Sequence, residues 1–196
     1  METIDNSRVI IFGGGFNPPT VAHAEIMDSC LALPDFNEVW VMPSGDRLDK
    51  QMEVTDEDRL KMLNLVKKEV FNDNPRLIVS DFELNLPRPN QTYQTIGKLA
   101  SKFANIDFWM AYGLDAYKGM PSWTNGRELQ SKLNMIIFNR GESEFPIRSN
   151  IINLKVNQCD LVSSTEVRKR INNGQSIDGF VSSSVKHYIE EKKLYI

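Results

Sequence analysis

The chain has 196 residues, 41% of them hydrophobic and 25% charged, with a formal net charge of -3. This composition fits one soluble globular unit and lacks the basic surplus of a nucleic-acid-binding protein. Two cysteines, Cys30 and Cys159, form neither a disulfide framework nor a zinc site. With no signal-like opening after Met1 and no apolar run of bilayer length, a cytoplasmic protein without a membrane partner is expected.

Strand-like and helix-like stretches alternate along the chain, which predicts an α/β fold with a mainly parallel sheet and helices on both faces. Residues 8–12 read as the first strand and 20–33 as the first helix, stopped by Pro34. Residues 38–42 form a second strand, ended by Pro43-Ser44-Gly45. Thr55 caps the next helix, with Asp56, Glu57 and Asp58 in its first turn and Leu60, Leu63, Val66 and Val70 along one face. Residues 77–82 give a third strand, 91–103 a helix and 106–112 a fourth strand ending at Gly113. Two more strands, 135–139 and 151–154, precede closing helices at 164–173 and 183–193, a small helical C-terminal part.

The most informative stretch joins the first strand to the first helix: Gly13-Gly14-Gly15-Phe16-Asn17-Pro18-Pro19-Thr20-Val21-Ala22-His23. Glycines let backbone N–H groups approach a ligand, and a helix N-terminus adds free donors and partial positive charge. Thr20 and His23 lie three residues apart, on one side of that first turn. The parts make an anion site, most simply for a nucleotide phosphate. No lysine completes a Walker A loop, and Pro18 stands where the dinucleotide fingerprint needs its third glycine. A second element, Val162-Ser163-Ser164-Thr165-Glu166-Val167-Arg168, begins a helix with consecutive hydroxyls and places Arg168 one turn later. It reads either as a well-capped surface helix or as a second grip on phosphate. In an open parallel sheet, the glycine loop and Gly113-Leu114-Asp115 should open onto one crevice at the strand C-termini.

These motifs resemble those of the nicotinate (nicotinamide) mononucleotide adenylyltransferase family, within the (H/T)xGH nucleotidyltransferase superfamily. The stretch from Gly13 to His23 resembles the (H/T)xGH motif, and Val162 to Arg168 resembles ISSTxxR. Glu83, Arg88 and Thr92-Tyr93-Gln94-Thr95, then Gly113-Leu114-Asp115 with Trp123, and finally Val185-Lys186-His187-Tyr188-Ile189 with Leu194-Tyr195 extend the similarity over nearly the whole chain. The resemblance implies a Rossmann-like fold, a single nucleotidyltransferase domain over residues 1–196, and adenylyl transfer from ATP, with Mg²⁺, to nicotinate mononucleotide. It implies catalytic roles for His23, Thr20 and Arg168, and phosphate contacts from Gly13, Gly14, Gly15, Phe16, Ser163, Ser164 and Thr165. It assigns Asp115, Trp123, Thr92, Arg47 and Lys50 to the mononucleotide, with no metal ligand among the side chains. For Asp115 the alternative is a helix N-cap; for Trp123, a packing tryptophan; for Arg47 and Lys50, a solvated loop.

The sequence departs from the family at Thr20, where most nicotinate mononucleotide enzymes carry a histidine, and at Ala22, in place of the motif glycine. It also departs in residues 44–50 and at Asn90-Gln91-Thr92, where the family usually has Gly-Pro-Ser. The open alternatives are nicotinamide mononucleotide or another phosphorylated acceptor, such as phosphopantetheine, and a non-catalytic nucleotide-binding protein of the same fold. A homo-oligomer is compatible with all of them.

Overall fold

The computed structural model describes residues 7–45, 52–139, 146–156 and 162–196. Six strands, β1 (Ser7–Gly14), β2 (Glu38–Pro43), β3 (Leu77–Val79), β4 (Ile106–Gly113), β5 (Asn134–Asn139) and β6 (Ile151–Lys155), form one sheet in the order β3-β2-β1-β4-β5-β6. Every neighbouring pair is parallel. Strands buried on both faces must be apolar on both, and β1 is: Ile10 and Phe12 enter one core cluster while Ile11 enters another.

Helices α1 (Val21–Leu31), α2 (Asp56–Phe71), α6 (Ser164–Asn172) and α7 (Ser183–Lys192) cover the first face, through Met27, Leu63, Val167 and Val185. The closing helices α6 and α7 thus share the main core instead of standing apart from it. On the other face lie α3 (Thr92–Lys102), α4 (Leu114–Gly119) and α5 (Gly126–Lys132). There Leu99 meets Ile11, Met42 and Met110, and Leu114 and Leu129 meet Met135 and Ile137. Each such side chain, fully buried, contributes about 1.5–3 kcal/mol of hydrophobic stabilisation. Among the described residues, no helix is long and apolar enough to cross a membrane.

Three expectations shift. The third strand stops at Val79, three residues early, and Ser80 to Phe82 run on as loop. The buried face of α2 is Arg59, Met62, Leu63 and Val66; Leu60 is half-buried and Val70 is 45% exposed. Residues 114–132 hold α4, a 3-10 turn (Met120–Ser122) and α5, none of which the sequence patterns suggest. That segment folds tightly: a Cβ at Gly126 would lie 1.7 Å from the Met120 carbonyl oxygen, so only glycine fits.

The chain leaves β1 toward β2 on one side and reaches β4 on the other. The strand order reverses there, so the C-terminal ends of β1 and β4 flank a crevice. The glycine loop and Gly113-Leu114-Asp115 both open onto it, as expected.

Candidate active site

The loop after β1 is held from inside. Phe16 adopts φ 45, a left-handed conformation that costs a side-chain-bearing residue free energy. Its buried ring packs edge-on against Phe12, at 5.5 Å between centroids, and lies 5.0 Å from the His23 ring. A Cβ on Gly14 would come within 3.1 Å of that ring, so Gly14 leaves the turn the room it needs. Asn17–Pro18 is a cis peptide bond.

Thr20 is the N-cap of α1, not its first helical residue, and it closes a reciprocal capping box with His23. The Thr20 N–H donates to His23 Nδ1 at 3.0 Å, and the His23 N–H donates to Thr20 Oγ1 at 3.4 Å. The Thr20 hydroxyl lies 2.8 Å from the same Nδ1. Because Nδ1 accepts from the backbone, the neutral imidazole carries its hydrogen on Nε2. Thr20 is 2% exposed and its hydroxyl is committed to this box, so it orients His23 from beneath.

The second motif docks on the first. Ser163 caps α6 by accepting from the Glu166 N–H at 3.1 Å. Ser164 Oγ donates to the Pro18 carbonyl at 2.8 Å, and Arg168 Nη1 donates to the Asn17 carbonyl at 2.9 Å. Arg168 Nε also donates to Glu53 Oε1 at 2.5 Å. Thr165 is exposed at the helix start.

Arg59, which the sequence reading passed over, ties down the opposite side of the loop. Its fully buried guanidinium donates through Nη1 to the Gly15 and Ser44 carbonyls, at 3.1 and 2.8 Å, and through Nη2 to Asp56. Partial burial pushes the Asp56 carboxyl up. Hydrogen bonds from Arg88 and Arg59, and their charges, outweigh this and hold it below the usual carboxylate value. The signal in the sequence was positional: Arg59 shares the helical spacing of Met62, Leu63 and Val66.

At the other end of the crevice, Trp123 follows the 3-10 turn and packs edge-on against Tyr112, 5.9 Å between ring centroids. Asp115 is exposed in the first turn of α4; the N-cap is Gly113, so the capping alternative for Asp115 falls. Thr92, half-buried, opens α3 behind its N-cap Gln91. Arg47 and Lys50 lie outside the described residues. The structure thus gathers the glycine loop, His23, Ser164 and Arg168 at one end, and Thr92, Tyr112 and Trp123 near the ends of β4 and α3.

Comparison with known proteins places this geometry in a family. The cytidylyltransferase-like family model matches residues 11–170. A probable nicotinate-nucleotide adenylyltransferase of Fusobacterium nucleatum is 31% identical over 94% of this chain and 98% of its own. One from Leptospira interrogans is 32% identical over 97% of this chain and 98% of its own. The Plasmodium falciparum nicotinic acid mononucleotide adenylyltransferase complexed with NaAD superposes with a TM-score of 0.81, at 24% identity, over 96% of this chain and 97% of that one, which shows a shared fold. A family match spanning the glycine loop, the crevice and Arg168, together with relatives above 30% identity over nearly their whole length, means that the chain belongs to the cytidylyltransferase-like nucleotidyltransferases and, among them, to the nicotinate-nucleotide adenylyltransferase family.

Proposed function

We propose that this protein transfers the AMP part of ATP to nicotinate mononucleotide, forming the deamido dinucleotide and releasing pyrophosphate. The single observation that carries the chemistry is the His23 tautomer. A backbone amide occupies Nδ1, so Nε2–H serves as a donor beside a glycine loop and a helix N-terminus.

The nucleophile is a phosphate oxygen of the mononucleotide, already anionic near pH 7, so no general base is needed. It forms a bond to the α-phosphorus while the bond to the bridging oxygen breaks, and the electron pair leaves with pyrophosphate. The protein's work is positioning and charge stabilisation. In this reading the backbone N–H groups of the loop, including Gly14 and Phe16, face the phosphates, and His23 Nε2–H donates to them. Thr20 acts as a positioning residue through Nδ1. Arg168 takes the leaving pyrophosphate by exchanging Glu53, whose side chain is 45% exposed, for phosphate oxygens. Ser163 and Ser164 hold α6 against the loop, and Thr165 presents its hydroxyl at the helix start. Thr92, Asp115 and Trp123 serve the mononucleotide, Trp123 by stacking on the pyridine ring.

Mg²⁺ fits this donor set as a passenger of ATP. Among the described residues no three His, Cys, Asp or Glu side chains gather into a cage, and Mg²⁺ is commonly held by substrate phosphates and water with few carboxylates. When bound, it would neutralise phosphate charge.

Pyrophosphate release from ATP, Mg²⁺ and nicotinate mononucleotide tests the proposal. Release that requires both nucleotides is expected. A protein whose melting temperature rises with ATP but which releases nothing would overturn the acceptor; one indifferent to ATP would overturn the whole reading.

A further inference from the structure

The Arg168 guanidinium is engaged on two sides. Nη1 donates to the Asn17 carbonyl at 2.9 Å, which fixes it against the glycine loop, and Nε donates to Glu53 Oε1 at 2.5 Å. The Arg168 side chain is 15% exposed and that of Glu53 45%, so the carboxylate lies on the solvent side of the pair. A carboxylate on a guanidinium does there what a phosphate oxygen would do: it is an anionic acceptor of charge-assisted N–H bonds. Glu53 thus occupies a donor that the adenylyl-transfer reading gives to the leaving pyrophosphate.

The two arginines of α6 differ in how their partners reach them. Arg170 pairs with Glu166 at 3.0 Å, four residues back on its own helix, an ordinary surface spacing. Arg168 takes its carboxylate from 115 residues away, so no helical period imposes the pair. Glu53 is carried there by its neighbours. Val54 packs against the main core, and the Thr55 hydroxyl accepts from the Asp58 N–H at 3.1 Å to cap α2. The backbone beyond Glu53 is therefore anchored, and a turn of one half-exposed side chain is enough to open Arg168 Nε to a ligand.

We propose that Glu53 is a positioning residue acting through Arg168: it is the displaceable counter-ion of that guanidinium, and by returning to it Glu53 clears pyrophosphate from the site. This rests on the adenylyl-transfer reading above and deepens it. ATP binding breaks the Glu53–Arg168 pair and sets phosphate oxygens on the guanidinium. After transfer, pyrophosphate is no longer joined to the nucleotide and is held by its own contacts alone. Glu53 then competes for Arg168 Nε, and its charge repels the bound anion. Both effects have the same sign, and both favour dissociation. Because the pair is partly exposed, the expected change in the pyrophosphate binding constant is about 3- to 10-fold.

The test is calorimetric binding of inorganic pyrophosphate, with Mg²⁺ and no nucleotide, to the wild type and Glu53→Gln. AMP, which lacks the phosphates that Arg168 takes, is the comparison ligand. Glu53→Gln should bind pyrophosphate about 3- to 10-fold more tightly and AMP as the wild type does. Pyrophosphate should also inhibit the variant's transfer reaction at a correspondingly lower concentration. Glu53→Ala should repeat the result, and decides the matter if Glu53→Gln does not fold. A carboxylate that only props Arg168 in place predicts the opposite sign, looser pyrophosphate binding once it is removed. Weaker or unchanged pyrophosphate binding, or an equal gain for AMP, would therefore overturn the inference. Binding is read without an acceptor, so the two readings fail separately. Tighter pyrophosphate binding by Glu53→Gln, with no pyrophosphate release from ATP and nicotinate mononucleotide, would overturn that acceptor and leave the role of Glu53 standing.

Discussion

The two ends of the crevice are built differently. At the phosphate end nearly every polar group near the loop is tied to protein: the capping box on His23, Ser164 on Pro18, Arg168 on Asn17, Arg59 on Gly15 and Ser44. The Asn17 carboxamide and Arg59 Nε are exceptions, buried without a partner among the described residues. At the other end Trp123 meets Tyr112 by ring packing, and Asn90 Oδ1 and the Tyr112 hydroxyl are buried without a partner among the described residues. A site that must stabilise transient charge gains from donors already fixed in place. A site that must receive a flat pyridine ring gains from aromatic side chains already packed in place.

If the phosphate end owes its rigidity to Arg59, removing that side chain should be the most costly change in the molecule. Arg59→Met removes the donor from the Gly15 and Ser44 carbonyls and leaves Asp56 to Arg88 alone, and a loss of about 2–5 kcal/mol is expected in urea denaturation. A loss below about 1 kcal/mol would mean the loop is held elsewhere. Next in size is His23→Ala, expected to lower kcat about 10²- to 10³-fold, in line with the loss of one preorganised donor. Thr20→Val should lower kcat less, with Thr20→Ser restoring it, because only the hydroxyl and not the methyl serves the box. If Thr20→Val and Thr20→Ser match, the orienting role fails.

The smallest effect is far from both ends. Glu69 on α2 caps α7, accepting from the Ser183 and Ser184 N–H groups at 3.0 and 2.8 Å and from the Ser184 hydroxyl. Those bonds, the Ser184 hydroxyl first, hold its carboxyl below the usual value of 4.5. Its stabilisation is therefore complete above pH 4.5 and fades as pH falls through the lowered native value. Glu69→Gln should cost about 1 kcal/mol at pH 7 and nothing extra in strong acid, with the transfer kinetics unchanged. A change in those kinetics here would blur the contrast between the two ends.

Much of this was legible from residue patterns. The glycine turn, the Thr55 cap and all six strands could be read because each rests on local chemistry: φ freedom, capping, apolar runs. Thr20 and His23 were read as neighbours on one face, but not that they bond each other, because a capping box needs a side chain to turn back on its own turn. Arg59 was hidden because a cation after three acidic residues looks solvated. Its burial depends on the Gly15 and Ser44 carbonyls, distant in sequence and adjacent only through the parallel register of β1 and β2. Residues 114–132 escaped because short helices carry too few turns for a period, and the fit of Gly126 against Met120 is a contact, not a pattern. Asn90 stood out only as a departure from its family; its burial beside Thr95 and Gly45 is a tertiary contact.

The docking of α6 on the glycine loop spans 146 residues between Pro18 and Ser164 and 151 between Asn17 and Arg168. A ribosome extends the N-terminal loop long before it reaches the arginine that completes the grip. During synthesis the emerging chain therefore carries the glycine loop without the contacts that Ser164 and Arg168 make to it, and only the arrival of α6 at the first strand's turn supplies them.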